Sequence, residues 1–175
     1  MVSSIEPIRI ETDRLVLRPL TVADQLSLAA VLSDRETMSW YPRPYTAEEV
    51  RQWIERQIAR YPKGSGLLAM VEQKTGRLIG DCGAVWQEVD GVTELEIGYH
   101  VNRERWKHGF ATEAARAVMD YAFRRFDVNR LISMIRPENT PSRRVAEKNG
   151  LTLDRMVFWR DYDHCVYQIA RCATR

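Results

Sequence analysis

The sequence predicts a mixed α/β fold of the α+β kind, with a central, mostly antiparallel, twisted sheet of about seven strands, one parallel pair, and four flanking helices. Three observations predict it. Three strand-like runs between Leu67 and Val101 are joined by turn signals, which is the pattern of an antiparallel meander. A glycine-containing stretch, an alanine-rich helical pattern and another strand follow, and a crossover of that length gives a parallel pair with right-handed connection. Two further strand-like runs, around a polar turn, close the chain.

Taken in order, Leu15-Val16-Leu17-Arg18 is a short strand. Pro19, Thr21 and Asp24 then mark entry to a helix from Ala23 to about Leu32. Trp40-Tyr41-Pro42-Arg43-Pro44-Tyr45 is a proline-broken aromatic loop, which either lines a substrate pocket or covers the edge of the core. Thr46 and Glu49 form a capping box for a second helix, with Val50, Trp53, Ile54, Ile58 and Tyr61 on one face. Strands over Leu67–Glu72 and Leu78–Trp86 flank the turn Lys74-Thr75-Gly76, and Asp90-Gly91 leads into the strand Thr93–Val101. In that strand Leu95, Ile97 and Tyr99 point one way and Glu94, Glu96, Gly98 and His100 the other, a solvated face being the plain reading for Glu94.

In Trp106-Lys107-His108-Gly109-Phe110-Ala111-Thr112-Glu113 a strand gives way to a helix carrying Ala111, Ala115, Val118, Ala122 and Phe126 on one face. Glycine lets a backbone approach a ligand, and a starting helix offers unpaired N–H groups and a positive dipole end, so the place suits phosphate. A glycine serving only the turn is the plainer alternative. Arg130–Arg136 is the next strand, and Asn139-Thr140-Pro141-Ser142 opens a helix that stops at Asn149-Gly150. Leu151–Arg160 and Cys165–Cys172 are the closing strands; the last could pair with a second copy of the chain if it lies at a sheet edge.

With 175 residues, 45% of them hydrophobic, the chain can bury one sizeable core, and residues 1–175 are expected to form a single domain. Its 26 basic and 24 acidic residues are spread evenly, which leaves no footprint for nucleic acid or an anionic membrane. Apolar runs are too short for a membrane span, and Glu6, Glu11 and Asp13 interrupt any secretory signal, so a cytoplasmic protein is expected. Cys82, Cys165 and Cys172 make no metal-type pair and read as core thiols, and His100 and His164 lack ligand spacing, so no metal is expected.

The order of elements, together with Glu11–Arg18, Glu96-Ile97-Gly98-Tyr99, Trp106–Ala114 and Asn139–Ser142 with Glu147–Gly150, resembles the GNAT superfamily of N-acetyltransferases. The likeness is greatest to the branch that includes the ribosomal-protein alanine N-acetyltransferases. It implies a GNAT-like sheet whose parallel pair splays apart to hold acetyl-CoA as cosubstrate. The pantetheine arm would meet backbone near Tyr99, His100 and Val101, with Asn139 bonding to it. The pyrophosphate loop would comprise Lys107, His108, Gly109, Phe110, Ala111 and Thr112. Gly109 and Ala111 match the family's loop, whereas Trp106 replaces its Gln or Arg and Lys107 stands where many relatives have glycine.

The acceptor implied is a primary amine, on a small molecule or a protein N-terminus, attacking the thioester directly in a ternary complex. An ammonium group must first lose a proton, so a base is needed. Glu96 holds the family's acidic position, with Asp154 in reserve. Ser142 lies where the branch uses a serine near the sulfur, helix capping being its plainer role. Trp40, Tyr45, Trp86, Trp159 and Tyr162 are candidates to build the acceptor pocket. A non-catalytic acyl-CoA-binding sensor or assembly module is the alternative from another class.

Overall fold

The computed structural model describes residues 8–171. In chain order the elements are β1 (Ile10–Glu11), β2 (Leu15–Arg18), α1 (Gln25–Leu32), α2 (Ala47–Arg60), β3 (Gly66–Glu72), β4 (Leu78–Val89) and β5 (Val92–Val101). Then come α3 (Phe110–Arg125), β6 (Arg130–Ile135), α4 (Thr140–Lys148), β7 (Thr152–Trp159) and β8 (Tyr162–Ala170). The strands form one sheet in the order β1-β2-β3-β4-β5-β6-β8-β7. Every neighbouring pair is antiparallel except β5 with β6. The mixed α/β fold with one parallel pair and four helices is the one the sequence predicts, with a two-residue strand added at one edge.

Local chemistry explains the starts and stops. Thr46 accepts a hydrogen bond from the Glu49 N–H at 3.3 Å while Glu49 accepts one from the Thr46 N–H at 2.8 Å, the predicted capping box of α2. Asp90 and Gly91 both take positive φ, 51° and 75°, the conformation of a tight hairpin turn matched to strand twist. That turn sets the whole β4–β5 register, from Val89 opposite Val92 through Asp81 opposite His100 to Gly80 opposite Val101.

Helices cover both sides of the sheet. Leu95, Ile97 and Tyr99 of β5 face a core shared with Phe110, Ala114, Ala115 and Val118 of α3. Ala69 of β3 packs on the other side against Leu28, Val31 and Leu32 of α1 and Val50 and Ile54 of α2. Two expectations fail. Glu94 is not on a solvated face: it is 5% exposed and ion-paired with Arg130. In α2 the inward position falls to Gln57 rather than to the exposed Ile58, because Gln57 Oε1 accepts from the Leu67 N–H at 3.0 Å at the start of β3.

The last strand is not at an edge. β8 lies between β6 and β7, so the pairing route to a second copy suggested by the sequence is closed. The buried run Cys165-Val166-Tyr167 suits an interior strand, whereas β7 with Thr152, Asp154 and Arg155 takes the edge. Cys82 and Cys165 are buried free thiols, as expected, and Cys172 lies outside the described residues. Among the described residues no helix is long and apolar enough to cross a membrane.

Candidate active site

The parallel pair is joined at a single register point, Glu96 opposite Ile132. Beyond it, side chains bridge the two strands. Ser133 Oγ donates to the Ile97 carbonyl at 3.0 Å, and the Met134 N–H donates to Glu96 Oε1 at 3.4 Å. Tyr99, His100 and Val101 therefore lie past the joint, on the stretch of β5 that no longer pairs with β6. On the α3–α4 side the gap holds a small cavity lined by Ile97, Tyr99, Ala115, Ser133, Val145 and Asn149. Asn149 is 8% exposed and its Oδ1 has no hydrogen-bond partner among the described residues.

Glu96 occupies the joint itself. Burial pushes its carboxyl up to about 7, against hydrogen bonds from Gln87 and the Met134 N–H and the positive charge of Arg160. A carboxylate with that affinity for protons can take one from an amine near neutral pH. Gly98 follows on the same face, and a side chain there would meet only Leu67 at 3.7 Å, so the strand leaves a recess between Glu96 and His100.

A buried polar chain borders this recess. His100 Nδ1 lies 2.7 Å from Asp81 Oδ1, Trp53 Nε1 donates to Asp81 Oδ2 at 2.8 Å, and the Tyr41 hydroxyl lies 2.6 Å from His100 Nε2. Trp53 meets His100 and Tyr45 edge to face, and the Tyr41 ring lies tilted against His100. The sequence reading assigned His100 only a backbone role and missed Asp81. Two signals could have found the pair: a lone carboxylate inside the apolar run Leu78–Val85, and the count from Asp90-Gly91, which sets Asp81 opposite His100.

The glycine stretch is anchored from three sides. Trp106 Nε1 donates to the Val101 carbonyl at 2.8 Å, which gives the tryptophan that replaces Gln or Arg a role and also occupies that carbonyl. Arg14 donates to the His108 carbonyl at 2.9 Å and to Glu113 Oε2 at 2.7 Å, while Thr12 Oγ1 donates to Glu113 Oε1 at 2.6 Å. The opening motif thus clamps the start of α3. Gly109 caps that helix at φ 83° without a side chain to satisfy its first N–H groups, in contrast to Thr46 on α2 and Asn139 on α4. Phe110 is buried, with the Arg14 guanidinium 4.5 Å above its ring, while Lys107 and His108 are exposed.

Lys107 has φ 65°, a left-handed conformation that costs a non-glycine residue about 1–2 kcal/mol and explains why glycine suits this position. Lys107→Gly is expected to leave the melting temperature and acetyl-CoA affinity within about twofold-equivalent limits, ~0.5 kcal/mol, because strain relief offsets the greater freedom of the unfolded chain. Calorimetric titration and a thermal melt of the variant check this.

On α4, Asn139 Oδ1 accepts from the Ser142 N–H at 3.1 Å, so Asn139 rather than Ser142 is the cap. Asn139→Ala should cost about 1 kcal/mol, read as a lower denaturation midpoint. Ser142 is brought to Tyr99, whose hydroxyl donates to the Ser142 carbonyl at 3.0 Å. Asp154 is not brought in: Arg155 and Gln168 hold its carboxylate at 2.6 and 3.2 Å on the edge strand, three strand spacings, about 14 Å, from Glu96. Trp86 leaves the proposed pocket too, because it packs on Phe126 on the α3 side. Trp159 donates to the Glu88 carbonyl at 3.2 Å, and Tyr162 lies under Arg136.

The sheet opens at one parallel joint, with an uncapped helix start that suits an anion beside it and a proton-accepting carboxyl on it. The acetyltransferase (GNAT) domain family matches residues 14–152, and the chain belongs to that family. It is 36% identical over 146 residues to the protein YkkB of Bacillus subtilis (strain 168), covering 82% of this chain and 84% of that one. It is 31% identical over 156 residues to the N-acetyltransferase p20 of Bacillus licheniformis, covering 87% and 85%. In fold it is similar to RimL, a ribosomal L7/L12 α-N-protein acetyltransferase in complex with coenzyme A. The TM-score is 0.76 at 20% identity, over 93% of this chain and 98% of that one. The chain is therefore an N-acetyltransferase of the GNAT type, a family that transfers acetyl groups from acetyl-CoA.

Proposed function

We propose that the protein moves the acetyl group of acetyl-CoA to a primary amine, on a small molecule or a protein N-terminus, by direct attack with Glu96 as the base. The observation that carries this reading is the place of Glu96: a buried carboxyl, pushed up to about 7, at the joint where β5 and β6 part. The cosubstrate would enter on the α3–α4 side of the gap. The side-chain-free helix start at Gly109 suits the pyrophosphate, and the unpartnered Asn149 Oδ1 offers an acceptor beside the pantetheine arm. Bound there, acetyl-CoA supplies an activated thioester carbonyl.

On the opposite face the acceptor lies over Gly98. Glu96 removes a proton from its nitrogen, the nitrogen bonds to the acetyl carbon, and Tyr99 with Ser142 stands on the sulfur side, where the leaving thiolate regains a proton. No enzyme nucleophile is needed. A coenzyme A-release screen over peptides of varied N-terminal residue, polyamines and aminoglycosides tests the reading. At least one amine should release coenzyme A in step with its own acetylation. Tight acetyl-CoA binding with no release from any amine would favour the non-catalytic sensor instead.

A further inference from the structure

We propose that Tyr41 is a specificity residue whose oxygen accepts an N–H of the acceptor amine, and that Asp81 and His100 are positioning residues that turn its own proton inward. The proposal rests on the function above and names how its acceptor is recognised. Hydrogen-bond bookkeeping carries it. The indole N–H of Trp53 can only donate, and it holds Asp81 Oδ2 at 2.8 Å, which leaves Oδ1 facing the ring of His100 at 2.7 Å. Asp81 can only accept, so a ring carrying a single proton holds it on Nδ1 and presents Nε2 as a bare acceptor. The partner of Nε2 at 2.6 Å is the Tyr41 hydroxyl, which in that tautomer donates.

A phenol has one proton. With that proton committed to His100, the Tyr41 oxygen presents only lone pairs to anything else that approaches. The Tyr41 hydroxyl is turned inward onto His100, so a ligand meets its oxygen from the recess over Gly98, where it feels the negative charges of Asp81 and Glu96. Glu96, Gly98 and His100 share one face of β5, which places the Tyr41 oxygen and the Glu96 carboxyl around the same recess. Both groups accept hydrogen bonds there, and neither welcomes a ligand that brings only acceptors.

A neutral primary amine matches this pair. It has two N–H groups, one for each oxygen, with its lone pair left to attack. A secondary amine has one N–H and leaves an acceptor unpaired, and a site built around such a bond discriminates against the ligand that lacks it. Recognition of the amine therefore resides in the aromatic loop, and loss of the Tyr41 oxygen should narrow the gap between primary and N-methylated acceptors.

The test uses three probes, a tetrapeptide beginning with alanine, spermidine and kanamycin, each followed by coenzyme A release, together with the N-methylalanine form of the peptide. For the probe that turns over best, Tyr41→Phe should lower kcat/KM about tenfold or more, with the KM for acetyl-CoA unchanged. If that probe is the peptide, the ratio of its rate to that of its N-methyl form should fall by a similar factor. Asp81→Asn should reproduce the loss, because the amide turns the imidazole proton to Nε2 and the Tyr41 hydroxyl outward. Nitrogen NMR of the ring reads the tautomer directly, with Nδ1–H in the wild type and Nε2–H in Asp81→Asn. A wild-type ring protonated on Nε2, or a Tyr41→Phe enzyme with unchanged kcat/KM, overturns the proposal. Failure of all probes with the wild type counts against the proposed function, and the tautomer then decides the relay by itself.

Discussion

Replacing Glu96 by glutamine should lower turnover about 10²–10⁴-fold, the usual contribution of a positioned base, while acetyl-CoA affinity stays within a factor of about two. Wild-type kcat/KM should rise with pH through about 7, where the buried carboxyl loses its proton, and this limb should vanish in Glu96→Gln. Folding stability carries the opposite sign. The carboxyl's folded-state value lies above its ordinary 4.5, so its contribution is full at low pH and is lost as pH rises through about 7. Glu96→Gln should therefore gain stability over the wild type between pH 4 and pH 8, by about 3 kcal/mol at most. A variant that gains stability and loses turnover separates a base from a residue that merely packs, and thermal melts at the two pH values provide the comparison.

Gly109→Val should weaken acetyl-CoA about tenfold or more, which is about 1.4 kcal/mol, and leave acceptor preference as it is. The backbone there has φ 83°, which costs a non-glycine residue about 1–3 kcal/mol, and an added Cβ would come within 3.4 Å of Arg14 Nη2. Arg14 is tied to His108 and Glu113, so the disturbance reaches the whole helix start. Gly109→Ala should show the same effect in smaller measure. Titration calorimetry on variants that melt cooperatively gives the affinities, and unchanged binding in folded Gly109→Val would remove the phosphate role from this loop.

Much of this architecture is legible in the sequence because it is set locally. The Thr46–Glu49 box, the Asp90-Gly91 turn and the Asn149-Gly150 stop are each settled by residues a few positions apart. The positive φ of Gly109 belongs to the same class, since glycine alone takes it without strain. What escapes is decided across the sheet. Whether β7 or β8 takes the edge depends on which strand fits against β6, and that depends on burial of Cys165-Val166-Tyr167 on both faces. Glu94 reads as solvated until Arg130, thirty-six positions on, covers it. Asp154 lies in a plausible strand yet three strands from the joint. Asp81 stands between these cases, since a register count from the turn reaches His100, but only the loop that brings Tyr41 over the sheet reveals what the pair does.

The proposed mechanism holds both reactants at once, on opposite sides of β5, and initial rates with acetyl-CoA and the amine varied together test it most directly. The geometry predicts intersecting double-reciprocal lines, the pattern of a ternary complex in which no group of the enzyme is acetylated. Parallel lines, the mark of an acetylated enzyme formed before the amine binds, would contradict it.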